Sequence, residues 1–420
     1  MSYETILYSL LFLFPLFATV ARHWVSSIFV LIALLGLVYH ISRKDEYKRN
    51  LHVYDKIYIW LLAVYFSIYL LSILSNYPIE LKIIRFDIEL RFLIAISIYY
   101  LLLKYDKTLK YLVYGSLLSL VIALLFCVVD LYYKEEIIFT GAYSQLFTGP
   151  VVIISLSLVI TNYLNNLKKT KNIKHRLGLL SLVALLFAIS SFIIISTNAR
   201  VAYIGLIVLA FMSIFFYGNG VWKYGLLIIC VTSVLVIFTF SSSVNQRVTT
   251  AFSDISTYLD ISETDTKDHP INYSSIGARL EMWKTVPLFI SDHTFFGVGN
   301  GNYQSEMKKY VDNGKANSAV LVGSHAHNVF VNTIITKGIT GLSIVMLLFI
   351  YPLYIYIKTF KICRDTAVVG IIHTCMLFII SMNESAPFWK ANFVAVNIIF
   401  SLVIFQSHIG NLKNEIKGQC

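Results

Sequence analysis

Charge is scarce in this sequence. Only 14% of its 420 residues are Asp, Glu, Lys or Arg, against roughly 25% in a typical soluble domain, while 57% are hydrophobic. A water-soluble fold has no way of hiding that much apolar surface. Cysteine is also sparse: Cys127, Cys230, Cys363, Cys375 and Cys420 are the full set, and none lies in the long polar loop described below. Neither a disulfide framework nor a cysteine metal site is indicated. Basic residues are missing ahead of the first apolar run, Ile6 to Val20, where Glu4 stands instead. That run is expected to be a retained first span rather than a cleaved signal peptide.

What is present is a repeating apolar pattern. Runs of roughly 17 to 20 residues recur, each long enough to cross a bilayer core. The expected fold is an all-α integral membrane protein of about twelve transmembrane helices. Their approximate limits are 5–20, 24–41, 57–75, 88–103, 111–130, 148–164, 177–196, 201–217, 222–240, 328–357, 365–382 and 387–407. The formal net charge of +11 would suggest nucleic acid in a soluble protein. Here the excess sits in the short loops 42–56, 104–110, 165–176 and 358–364, as the positive-inside rule requires, so no nucleic-acid partner is expected. With twelve spans, these loops and both termini share one side, assigned to the cytoplasm.

One connection differs. Residues 241–327 form a polar segment far longer than ordinary loops, and on this topology it is extracytoplasmic. The chain thus divides into helices 1–9 (residues 1–240), a helical loop (241–327), and helices 10–12 with a cytoplasmic tail (328–420). Within the loop, Val244, Val248, Phe252, Ile255 and Leu259 repeat at helical spacing. Residues 260–274 are acidic and polar and read as a link. Ser274 and Ser275 can cap a second helix running to about Ile290, which Pro287 should kink or weaken. A third short helix is expected around Tyr303–Val311, after a turn punctuated by Gly297, Gly299 and Gly301.

The candidate chemistry begins at His325-Ala326-His327-Asn328, where the long loop meets the tenth span. Imidazole titrates near neutral pH and can take a proton from a sugar hydroxyl. A spacing of two puts the histidines on different faces of a helix, so they converge only if the backbone is extended or just entering the helix. No acidic partner for a metal stands beside them, and no metal is expected. The structural alternative makes Asn328 a helix cap and the histidines merely interfacial. Arg200, in the break Thr197-Asn198-Ala199-Arg200, falls on the outer face, the wrong side for a positive-inside arginine. Arg279 sits on the second loop helix. A guanidinium suits phosphate oxygens. Snorkelling to headgroups would explain Arg200 equally, and a pair with Glu281 or Asp292 would explain Arg279. Arg85 and Arg91 could extend a phosphate-binding surface, or simply pair with Asp87 or Glu89. Gly297 to Gly301 resembles a phosphate loop but lacks a βαβ unit and reads as a turn. His373 reads as a hydrogen-bonded packing residue.

His327, Asn328, nine residues, then Gly338-Ile339-Thr340-Gly341 resembles the motif of the O-antigen ligase superfamily, which includes O-antigen polymerases and pilin oligosaccharyltransferases. The architecture is similar too: twelve spans and a large periplasmic loop before the tenth, a GT-C-like arrangement. Arg200 and Arg279 resemble the family's arginines at the seventh span and on the loop helix; His325 is less securely matched. The resemblance implies an inner-membrane glycosyltransferase that moves polysaccharide from undecaprenyl diphosphate to a sugar hydroxyl of the lipid A core, in lipopolysaccharide biosynthesis. It implies His327 as general base, Arg200 and Arg279 on the diphosphate, and His325 and Asn328 in support. Inversion at the anomeric centre is implied, with no metal or other cofactor. Two alternatives stay open: a polymerase joining lipid-linked repeats, and a transporter of the same lipid-linked sugar.

Overall fold

A backbone surrounded by lipid must satisfy its own N–H and C=O groups, and the α-helix does so within one segment. The computed structural model describes residues 2–21, 24–42, 51–76, 85–133, 145–218, 223–228 and 275–418, with isolated positions between 231 and 258. Among these there is no strand. The long helices are α1 (Tyr3–Val20), α2 (Trp24–Ser42), α3 (Val53–Ser75), α4 (Phe86–Leu102), α5 (Thr108–Tyr133), α6 (Gln145–Lys169), α7 (Ile173–Thr197) and α8 (Arg200–Tyr217). After the polar loop come α12 (Val329–Lys358), α13 (Arg364–Asn383) and α15 (Ala391–Ile416). Nine of the described helices are long and apolar enough to cross a membrane; α1 and α4 are shorter. The protein is an all-α, multi-pass membrane protein. The link 260–274 falls outside the described residues, as does about half of the expected span 222–240 and of the helix expected over 244–259.

One helix start differs from expectation. Instead of a span from residue 387, a one-turn helix α14 (Ala386–Trp389) comes first, and extended backbone at Lys390 separates it from α15. Pro387, which has no N–H to give, fits the first turn of α14; the break before α15 lies at the extended Lys390.

Helices α6, α13 and α15 lie inside the bundle, while α2, α3 and α7 turn broad apolar faces outward. Lipid removes the hydrophobic drive between helices, so close packing rests on small residues. Gly149 in α6 shows this: a Cβ there would sit 2.8 Å from the Ala199 Cβ, so only glycine lets α6 approach the turn that presents Arg200.

The loop builds a cap with its own core. Helices α9 (Ser275–Lys284), α10 (Val286–Asp292) and α11 (Tyr303–Asp312) enclose Met282, Phe289, Val298, Tyr303, Met307, Tyr310, Val320 and Ala326. The helix expected to reach Ile290 is split at Thr285, with Pro287 in the first turn of α10. Ile335 of α12 joins the same core.

The cap is joined to the bundle at a break in α12. Gly338 has φ 64° and ψ −165°, which a residue with a Cβ rarely adopts; a Cβ there would meet the Phe295 carbonyl oxygen at 2.3 Å. The break exchanges partners. Val298 N–H donates to Ile335 O and Gly299 N–H to Thr336 O, while Ile339 N–H donates to Thr294 O, all at 2.9 Å. Gly297 to Gly301 is therefore a docking turn against this break, as its lack of a βαβ setting suggested. Beside it, Lys337 Nζ lies 2.8 Å from Glu89 Oε1, and Asn300 Nδ2 donates to the same oxygen at 3.0 Å. The Lys337 ammonium sits over the Tyr65 and Tyr69 rings. Glu89 thus belongs to Lys337, not to the arginines near it in sequence.

Candidate active site

Asn328 fixes the start of α12. Its Oδ1 accepts from Phe330 N–H at 2.9 Å and Val331 N–H at 3.1 Å, as an N-cap should, and its Nδ2 donates to Met382 O at the end of α13. The preceding residue, His327, has φ 51°, a left-handed conformation that is costly for a side chain outside Gly and Asn. Buried Ala326 between the histidines is held at both polar atoms: Trp283 Nε1 donates to its carbonyl, and its N–H donates to Asn332 Oδ1. This turn lets residues spaced by two face the same way. The two imidazole rings lie 4.3 Å apart.

They converge on a residue the linear pattern did not point to. Glu384, at the C-terminal cap of α13, accepts from His325 Nε2 through Oε1 at 3.3 Å and from His327 Nδ1 through Oε2 at 3.5 Å. Ser385 N–H also donates to Oε1. The expectation that no acidic partner stands beside the histidines is corrected: it comes from a different helix. With Nδ1–H directed at the carboxylate, the Nε2 lone pair of His327 is left for another proton. His325 stacks on Trp389 of α14, and its Nδ1 lies 3.2 Å from Ser324 Oγ. The ligand atoms of His325, His327 and Glu384 fall within 4.8 Å of one another, so these three are the group among the described residues that could share a cation.

Burial pushes the Glu384 carboxyl up, but hydrogen bonds and charge from the two histidines outweigh it and hold the group well below the usual carboxylate range. The unfolded chain would titrate near about 4.3. A depressed folded value means the stabilisation is complete above that pH and is lost as pH falls through and below it. Thermal melts of the purified protein should show this. Between about pH 5 and 3.5 the wild type should lose more melting temperature than Glu384→Gln, which has no such proton to bind; parallel curves would remove Glu384 as the linked group.

The arginines meet at this pole. Arg200 opens α8 directly after the turn in which Asn198, at φ 54°, caps α7. A cation at a helix N-terminus is opposed by the helix dipole, so an anion there would relieve both. Arg279 is one turn before Trp283 on α9, and its guanidinium feels both Glu384 and Arg200. Burial lowers its pKa most, Glu384 raises it and Arg200 lowers it again. The alternative pairs for Arg279 are otherwise engaged: Glu281 binds Lys284 at 3.0 Å and Tyr258 at 2.7 Å, and Asp292 accepts from Tyr310. Of the other two arginines, Arg85 pairs locally with Asp87 at 3.8 Å. Arg91 turns away from Glu89, toward Ser26 of α2. His373 bonds Ser401 inside the bundle, as expected of a packing residue.

Residues 183–346 match the protein-family model described as O-antigen ligase. Over this segment the chain is similar to the O-antigen ligase family. An uncharacterized protein of Haemophilus influenzae is similar, 25% identical over 355 residues that cover 82% of this chain and 84% of that protein. The matched segment takes in Arg200, Arg279, both histidines and the Gly338–Gly341 pair. Glu384 lies beyond it, on the helix packed beside α12. The match supports an enzymatic, glycosyltransferase-like role for this membrane-embedded chain.

Proposed function

We propose that the protein is an O-antigen ligase, which transfers polysaccharide from undecaprenyl diphosphate to a sugar hydroxyl of the lipid A core at the periplasmic face of the inner membrane. The observation that carries this reading is the convergence of His327, Glu384, Arg279 and Arg200 at one pole, beneath the cap. His327 Nε2 takes the proton of the acceptor hydroxyl, whose oxygen attacks the anomeric carbon. The bond to the diphosphate oxygen breaks, and that oxygen leaves with the electron pair. Glu384 holds the imidazole by Nδ1 and stabilises the imidazolium as it forms. Arg200 and Arg279 neutralise the leaving diphosphate, the point of greatest developing charge. Direct attack inverts the anomeric centre. A lipid diphosphate is already an activated leaving group, so the arginines suffice and the route is metal-independent. The basic helix ends, among them Lys168, Lys169, Lys358 and Lys361, support assigning the opposite pole to the cytoplasm.

The test is transfer by the purified full-length protein, with EDTA present, from undecaprenyl-diphosphate glycan to lipid A core. Product and free undecaprenyl diphosphate should appear together. Arg200→Lys and Arg279→Lys keep charge but lose the planar fork, and each should lower kcat/KM by about 10-fold or more, in line with losing about one charged hydrogen bond. Wild-type values would remove the bidentate role. Transfer to a second lipid-linked repeat instead of lipid A core would make the protein a polymerase. In cells, loss of a ligase leaves long lipid-linked polymer and bare core; loss of a polymerase leaves single repeats on core.

A further inference from the structure

Arg91 is not used by this mechanism, yet it is buried, charged and incompletely bonded. Only 9% of it is exposed. Its Nη2 donates to Ser26 Oγ at 3.2 Å, and Ser26 in turn donates to Asn392 Oδ1. The guanidinium lies over the Phe29 ring. Its Nε–H and Nη1–H meet no acceptor among the described residues. The carboxylate one turn earlier, Asp87, is exposed and paired with Arg85. A guanidinium cannot shed its proton to escape burial, and each buried N–H without an acceptor costs stability. An anion arriving from outside the chain would satisfy such a group.

The surroundings say what carries the anion. Ser26, Arg91 and Asn392 stand near the N-terminal ends of α2, α4 and α15, at the pole that holds the histidines. Asn392 comes two residues after Lys390, at the end of the segment whose Trp389 stacks on His325. Between α2 and α4, starting one turn below Ser26, an apolar groove of about 390 Å³ runs along the bundle, walled by Val30, Leu34, Leu37, Leu93, Ile96 and Tyr100. A permanent cation at the rim and an apolar channel beneath it match a phosphate-bearing lipid with its chain in the groove.

We propose that Arg91, Ser26 and Asn392, with the α2–α4 groove, form the acceptor-lipid site and bind a phosphate of the lipid A core. This rests on the ligase reading. Arg200 and Arg279 take the donor diphosphate on one flank of the histidine pair, and the acceptor lipid docks on the other. The acceptor's sugar is then delivered to His327 from the side of α14, and holding both lipids supplies the usual gain of a bimolecular reaction made local.

The experiment uses full-length protein in nanodiscs and measures binding of lipid A core, dephosphorylated lipid A core and undecaprenyl-diphosphate glycan, alongside transfer kinetics. Arg91→Gln should weaken lipid A core binding and raise its KM about 10- to 100-fold, the loss of one or two charged hydrogen bonds, with donor binding unchanged. Removing the acceptor's phosphates should weaken binding to wild type similarly and add little to the effect of Arg91→Gln. Leu34→Trp, on the outward-facing groove wall, should also raise acceptor KM without touching the guanidinium. The proposal is overturned if dephosphorylated acceptor binds wild type as well as the intact lipid, or if Arg91→Gln weakens the donor instead. A wild type that binds lipid A core through Arg91 but transfers nothing would sink the ligase reading and leave the lipid site standing. If Arg91→Gln does not fold, the dephosphorylation arm on wild type still decides.

Discussion

Replacing His327 with asparagine should lower kcat for glycan transfer about 100- to 10,000-fold, the range lost when a general base is removed, with donor and acceptor KM nearly unchanged. Asparagine is the substitution of choice because residue 327 has φ 51°, and Asn tolerates that region while most side chains do not. A drop in rate therefore reports on chemistry rather than on a misplaced helix start. The position of His327 makes the expectation specific. It is 25% exposed while its Glu384 partner is only 5% exposed, so the ring is anchored on one side and open on the other. His325 differs: its Nε2 is turned to the carboxylate and its ring is stacked on Trp389. His325→Asn should accordingly cost less. The measurement is steady-state transfer at saturating donor and acceptor, with the melting temperature as a check on folding. Full activity in His327→Asn would end the general-base role.

The second large effect is on stability. Lys337→Ala should destabilise the protein by about 3–5 kcal/mol, the cost of leaving one member of a buried ion pair without its partner. Lys337 and Glu89 are 4% and 1% exposed and 2.8 Å apart. Without the ammonium, Glu89 is left with neutral donors such as Asn300. The pair also lies beside the Gly338 break, where the cap hydrogen-bonds to α12, so its loss should loosen the cap over the histidines. Thermal unfolding in detergent gives the readout. The double variant Lys337→Met with Glu89→Gln should recover much of the loss, because it removes both charges rather than one. A single variant as stable as wild type would mean that the pair contributes nothing net to cap attachment.

How much of this was legible in the chain follows from the range of the forces involved. Span positions are local: an apolar stretch of sufficient length must be helical in lipid, and α1 to α8, α12 and α13 fall where the hydropathy of their own residues puts them. Asn328 as a cap and Pro287 as a helix interruption are also local, set by a side chain bonding its neighbours and by a missing N–H. The break after Trp389 was less legible. Pro387 marks a helix start as readily as an interruption, and only the extended backbone at Lys390 separates α14 from α15.

The candidate site was half legible. His327, Arg200 and Arg279 could be named because each is a polar group in an apolar or interfacial setting, and because the spacing from His327 to Gly338 and Gly341 matches a family pattern. What the glycines do was not visible there: Gly338 permits a break whose carbonyls are then taken up by the cap turn. Glu384 had one usable signal, a carboxylate just past the end of an apolar span at the same pole. Nothing in one dimension tied it to residues 325 and 327, however. Composition, span placement, the long loop and the identity of the polar candidates were determined by the sequence itself, because hydropathy and capping act over a few residues. The pairing of Glu384 with both histidines, of Lys337 with Glu89 and of Arg91 with Ser26 was decided only by tertiary structure. Each joins helices distant along the chain, and helix packing in a bundle sets which faces meet.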